Sequence, residues 1–178
     1  MSSFRRQASA RAPERGCRAG DSAGARLAVF VATFGYAGLV PFAPGTIGSL
    51  AGLLVYALMV WSGSGAVTAA AAIMVLFAIG VWSGTIAERH FEGIDPGPVI
   101  IDEVAGMLIT LFLIPVGVTG GVVGFLLFRV FDIVKPFPAS RLERLPGGLG
   151  VMSDDAMAAV YANLTLRFLW WLSPRWIV

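Results

Sequence analysis

The chain has 178 residues, of which 57% are hydrophobic and 13% charged, and its formal net charge is +2. A soluble domain is about a quarter charged, so this composition and a mean hydropathy of +0.79 exclude an ordinary water-surrounded globule and make lipid part of the expected solvent. The single cysteine, Cys17, excludes a disulfide framework and a cysteine metal site.

Residues 1–26 are rich in Ala, Arg, Ser and Gly and read as a disordered basic tail. Six arginines stand there against Glu14 and Asp21, which the positive-inside rule reads as a cytoplasmic anchor rather than a nucleic-acid arm. The tail is too long for a signal peptide, and no small-residue cleavage site ends the apolar run before Pro41. Residues 27–178 read as a single membrane-embedded domain. Its apolar stretches are 27–43, 47–61, 66–87, 99–118, 120–134 and 154–172. Ala66–Ala87 carries no charge and is long enough as a helix to cross about 30 Å of hydrocarbon. Val99–Val118 is nearly as long, with Asp102 and Glu103 near its start; the remaining stretches span with a neighbour's help. The predicted fold class is all-α: a polytopic helical membrane protein with four to five transmembrane helices and a re-entrant or interfacial N-terminal segment.

The breaks are of two kinds. Ser62–Gly65 and Thr119–Gly121 are small and uncharged, whereas Pro41–Ser49, Glu88–Pro98 and Lys135–Asp155 hold most of the prolines and most of the remaining charge. The two kinds alternate along the chain, so crossings at 47–61, 66–87, 99–118 and 120–134 put every rich loop on one face. Lys135, Arg141 and Arg144 mark that face as cytoplasmic. The basic tail shares it, so 27–43 enters and leaves on the same side.

Glu88, Glu92, Asp95, Asp102, Glu103, Asp132, Asp154 and Asp155 all fall within or beside the helices at that face. A carboxylate in the bilayer centre costs roughly 2.5–3.5 kcal/mol on insertion scales, so such groups are paired or functional. Water-facing helix N-termini explain single members of the set, but not two acidic pairs together with Asp132. Carboxylates without histidine or cysteine suit a hard cation such as Mg²⁺. His90 is the one histidine, and a solvated loop position explains it. Arg129, Asp132 and Lys135 follow one another at i, i+3 spacing near a helix end, where charge pairing and snorkelling compete with a phosphate clamp. Pro41–Ser49 adds the hydroxyls of Thr46 and Ser49, with Gly45 and Gly48 allowing close approach before a helix N-terminus; a plain turn and N-cap reads the same way. Metal-binding acids and phosphate-binding cations in a membrane point to phosphoryl chemistry on a lipid headgroup. The cysteine-phosphatase loop, the Asp-x-Asp pair, a two-histidine site and the DG-x2-AR signature are all absent, which leaves direct attack by a metal-activated water.

PFAPGTIGSLAG (Pro41–Gly52), DPGPVIIDEVAGM (Asp95–Met107), FRVFDIVKPFP (Phe128–Pro138) and GGLGVMSDDAMAAVYAN (Gly147–Asn163) stand in the order and spacing of a known family. From about Phe34 to Leu164 the chain resembles phosphatidylglycerophosphatase A. The resemblance implies Mg²⁺-dependent hydrolysis of phosphatidylglycerophosphate to phosphatidylglycerol and inorganic phosphate at the bacterial inner membrane. It puts the family's acidic motif on Asp102 and Glu103, its FR-x-x-D-x-x-KP motif on Arg129, Asp132, Lys135 and Pro136, and its aspartate pair on Asp154 and Asp155. Its PGT-x-GS loop falls on Pro44, Gly45, Thr46, Gly48 and Ser49. Ile101, where an aromatic is common, and Ala159, where glycine is usual, depart from the pattern without touching ligand chemistry.

In the expected mechanism Asp102, Glu103, Asp132, Asp154 and Asp155 hold one or two Mg²⁺ ions. Arg129 and Lys135 grip phosphate, Gly45, Thr46 and Ser49 complete the cradle, and Asp155 or Glu103 is the general base. The partners are the phospholipid and the membrane, with no nucleic acid. An ion-coupled transporter is the rival class, but a pathway should leave polar residues through the full depth, and 66–87 has no acid. A phosphatase acting on another lipid or soluble phosphate is the second alternative.

Overall fold

The computed structural model describes residues 23–173. These form seven α-helices: α1 (Ala23–Ala32), α2 (Pro44–Trp61), α3 (Ala66–Phe91), α4 (Ile101–Leu111), α5 (Val118–Val134), α6 (Ala139–Leu142) and α7 (Gly148–Leu172). A 3-10 turn covers Ala37–Leu39, and no strand occurs among the described residues. The all-α expectation holds. Helix α1 begins at Ala23, inside the stretch expected as a tail, while residues 1–22 and 174–178 lie outside the described part.

Two helices, α2 and α3, are long and apolar enough to cross a membrane. Only 17% and 11% of their apolar windows are buried, which separates them from the core helices of a soluble protein. Trp61, Val67 and Met74 on these helices project outwards. Four to five crossings were expected, and the sharpest difference concerns 99–118. That stretch is no single helix, because α4 ends at Leu111 and a turn follows to Gly117. At 1.5 Å per residue α4 is about 16 Å long, half the depth of a bilayer. Ten of its eleven residues are buried, enclosed by α2, α3, α5 and α7.

A helix ending inside an apolar frame must find donors for its last carbonyls. Here they come from α7. Asn163 Nδ2 donates to the carbonyls of Ile109, Thr110 and Phe112 at 3.1, 2.9 and 3.0 Å. Arg167 donates from Nη2 to Phe112 O and from Nε to Asn163 Oδ1, each at 2.8 Å. The pair thereby pins α4 lengthwise against α7.

Sideways, α4 is gripped through glycine. A Cβ on Gly52 of α2 would lie 2.6 Å from Met107 Cβ and 2.9 Å from Val104 O, and one on Gly48 would lie 2.9 Å from Ile100 Cβ. Small residues let helix backbones approach where lipid supplies no hydrophobic drive between them. Because the atoms facing Gly52 are backbone and Cβ, they cannot swing aside. Gly52→Ala should therefore lower stability by about 1–3 kcal/mol. Gly65→Ala, with open space around it, should lose only glycine's advantage at the α3 N-cap, about 0.5–1 kcal/mol; thermal unfolding in detergent compares the two.

Candidate active site

The first turn of α4 carries Asp102 and Glu103. It is moored by the Ile100 amide, which donates to Ala32 O at 2.9 Å. The start of α7 is moored likewise: the Gly148 amide donates to Thr85 Oγ1 of α3 at 2.9 Å, and Asp154 and Asp155 follow in the second turn. The packing of α4 on α7 brings one carboxylate oxygen each from Asp102, Glu103 and Asp155 within 4.8 Å of one another. These residues are 5%, 9% and 4% exposed. Asp102 Oδ1, Glu103 Oε2 and Asp155 Oδ2 are buried without a hydrogen-bond partner. Three buried carboxylates this close repel one another and have lost their water. The cluster can hold a metal ion, and its all-oxygen donor set fits a hard divalent cation.

The last two turns of α5 supply the cations. Arg129 pairs with Asp132 at 2.7 Å and reaches Glu103 at 3.9 Å, so Asp132 orients the guanidinium at the rim of the acid cluster. Lys135 ends the helix in the left-handed region at φ 44° and turns the other way. Its ammonium donates to Asp154 Oδ2 at 2.6 Å and lies 3.5 Å from Glu143 and 3.8 Å from Asp95. Burial lowers the pKa of that ammonium, but the Asp154 hydrogen bond and the three negative charges more than reverse this and hold it above the usual lysine range. Asp95, in the loop before α4, is pushed up by burial and partly drawn back by Lys135.

The N-terminus of α2 closes the site. Ala43, at φ 47°, and Pro44 start the helix abruptly, and the first amides of a helix have no intrahelical acceptor. Gly45 lets this end press on the acids and the arginine: a Cβ there would sit 2.6 Å from Glu103 Oε1 and 2.8 Å from Arg129 Nη1. The resulting cleft of about 410 Å³ is lined by eight of the ten expected site residues. Ser49 and Asp154 are the exceptions. Ser49 is fully buried and donates to Gly45 O at 2.8 Å, so its hydroxyl is spent on its own helix. Asp154 faces Lys135.

Sequence reasoning left Asp95 and Glu143 out of the site, although Asp95 lines the cleft and both pair with Lys135. Asp95 carries a faint signal, sitting between two glycines and beside Pro96 in a tight turn at φ 47°. Nothing local marks Glu143. Glu88 accepts the Asp95 amide at 3.4 Å, while Glu92 and His90 are exposed.

Oxygen donors able to hold a metal, an arginine beside them and a helix N-terminus above suit a phosphate ester, and the class this fold and site describe is a helical phosphatase. The family model described as "Phosphatidylglycerophosphatase A" matches residues 30–170, and the chain belongs to that family. Phosphatidylglycerophosphatase A of Escherichia coli K12 is 35% identical over 137 residues, covering 74% of this chain and 77% of that protein. The Haemophilus influenzae Rd protein of the same name is 38% identical over 132 residues, 72% and 80% of the two chains. A Bacteroides thetaiotaomicron protein named "Putative phosphatidylinositol-3-phosphatase" is 35% identical over 164 residues, 85% and 96% of the two chains. No solved structure matches this chain.

The atoms that a Gly45 side chain would meet are the far ends of the Glu103 and Arg129 side chains, not backbone. Gly45→Ala should thus leave the melting temperature nearly unchanged while displacing both groups. A fall in phosphatase rate of at least about tenfold is expected, since misplacement by 1 Å can cost about a hundredfold; parallel melting and phosphate-release assays check it.

Proposed function

We propose that the chain hydrolyses phosphatidylglycerophosphate to phosphatidylglycerol and inorganic phosphate, with Mg²⁺ held by Asp102, Glu103 and Asp155. The observation that carries this reading is the buried three-carboxylate cluster, with its unpartnered oxygens, lying against Arg129. A divalent ion there would offset phosphate charge and make a nearby water more acidic. Arg129, oriented by Asp132, binds the phosphate oxygens and stabilises the charge that grows on them during transfer. The Gly45 amide and the Thr46 hydroxyl hold further oxygens beneath the α2 N-terminus. Glu103 or Asp155 takes a proton from the attacking water as its oxygen bonds to phosphorus. The bond from phosphorus to the glycerol oxygen breaks, and that oxygen stays on the lipid and takes up a proton to become the free hydroxyl.

We read the chain as crossing the bacterial inner membrane five times, by α2, α3, the broken segment 101–117, α5 and α7, with the cleft facing the cytoplasm. The exposed apolar faces of α2 and α3 support the membrane setting. The gathering of Gly45, Asp95 and Lys135 from three proline-containing breaks around one cleft supports the one-sided topology. Arg141 and Arg144 beside it support the cytoplasmic side.

The Bacteroides relative's name makes an inositol phospholipid the specific rival substrate. Phosphate release by the purified full chain in mixed micelles separates the two. The expected order is phosphatidylglycerophosphate ahead of phosphatidylinositol 3-phosphate and phosphatidic acid, with activity lost in EDTA and restored by Mg²⁺. Asp102→Asn and Asp155→Asn should each lose at least about a hundredfold in rate while folding normally. A preference for the inositol lipid would overturn the substrate, and full activity in EDTA would overturn the metal.

A further inference from the structure

The Lys135 ammonium sits in a seat of its own. Asp154 at 2.6 Å, Glu143 at 3.5 Å and Asp95 at 3.8 Å surround it, and they arrive from three places: α7, the segment after α6 and the loop before α4. Asp154 is 2% exposed, and its other oxygen, Oδ1, is buried without a partner. Sequence alone put Lys135 on the phosphate and Asp154 on the metal. The geometry pairs them with each other.

Consecutive residues on a helix point in different directions. Asp154 and Asp155 are consecutive on α7, and one turn of backbone thereby serves two separate clusters. Asp155 joins Asp102 and Glu103, while Asp154 turns to Lys135. A two-metal phosphoryl site sets two cations beside the reacting group; here an acid cluster able to hold an ion and a seated ammonium line the same cleft. One of the two positions is already filled, by a side chain.

We infer that Lys135 is the built-in second cation of this site, seated among Asp95, Glu143 and Asp154, and that the chain binds a single divalent ion, at Asp102, Glu103 and Asp155. The inference rests on the metal-site reading above and fixes the number of ions that reading leaves open. Lys135 in this role is a positioning residue. It keeps Asp154 and Asp95 compensated and away from the metal, and holds a fixed positive charge at the mouth of the cleft.

The test is Mn²⁺ stoichiometry by electron paramagnetic resonance on the full chain in detergent, with circular dichroism to verify folding. The wild type should bind one Mn²⁺. Lys135→Ala, which empties the seat, should bind two, and Lys135→Ala combined with Asp154→Asn should return to one. Asp154→Asn alone should keep one Mn²⁺ with its Kd changed by no more than about a hundredfold, as for an indirect partner. Two ions in the wild type, or one in folded Lys135→Ala, would overturn the inference and leave the metal site standing. If Lys135→Ala does not fold, Asp154→Asn decides, because loss of Mn²⁺ there would make Asp154 a ligand. No Mn²⁺ in the wild type would instead overturn the metal reading itself.

Discussion

Three carboxylates within 4.8 Å of one another, on residues each less than a tenth exposed, form the constraint on which the rest of the structure depends. Two of them come from α4 and one from α7, so nothing in either helix alone creates the cluster. It exists only because α4 is held in one position along α7 and pressed against α2. The Asn163–Arg167 pair fixes the first relation, and Gly48 and Gly52 permit the second. Electrostatic repulsion opposes the arrangement, and the framework has to resist it until a cation or protons relieve it.

The acidic first turn of α4 stands with the N-terminus of α2 and the last turns of α5 around one cleft, and the opposite end of this eleven-residue helix stops at Leu111, enclosed by its neighbours. Irregular backbone among apolar neighbours is tolerated only where protein groups satisfy it. Asn163 and Arg167 do that, which accounts for an arginine far along an apolar helix and remote from the cleft.

Much of this was legible in the sequence, for identifiable reasons. Apolar runs bounded by Gly, Ser and Pro gave α2, α3, α5 and α7 to within a few residues at most ends, because the periodic polar breaks coincide with helix ends. The i, i+3 spacing of Arg129, Asp132 and Lys135 and the acidic pairs marked the cleft. Other features depend on tertiary placement and leave no local trace. Val99–Val118 reads as one apolar run although Pro115 inside it is a local stop signal; what leaves no trace there is the donors for the end of α4, which lie on α7. Asp154 and Asp155 read as one pair until the helix turns them apart. Ser49 reads as a phosphate ligand until its hydroxyl is seen bonded to Gly45 O. Glu143 lies in an unremarkable loop and matters only because Lys135 reaches it.

The central claim is that the buried acid cluster is a seat for one divalent cation, so that occupancy and folding are linked. A ligand that binds only the folded state stabilises it by about 2.7 kcal/mol at a hundred times its Kd. Thermal unfolding of the purified chain against Mg²⁺ concentration measures this without any substrate. The account predicts a saturable rise in melting temperature for the wild type that disappears in Asp155→Asn, where one ligand is lost and the repulsion is relieved. A melting temperature indifferent to Mg²⁺ in the wild type, or the same rise in both proteins, would contradict it.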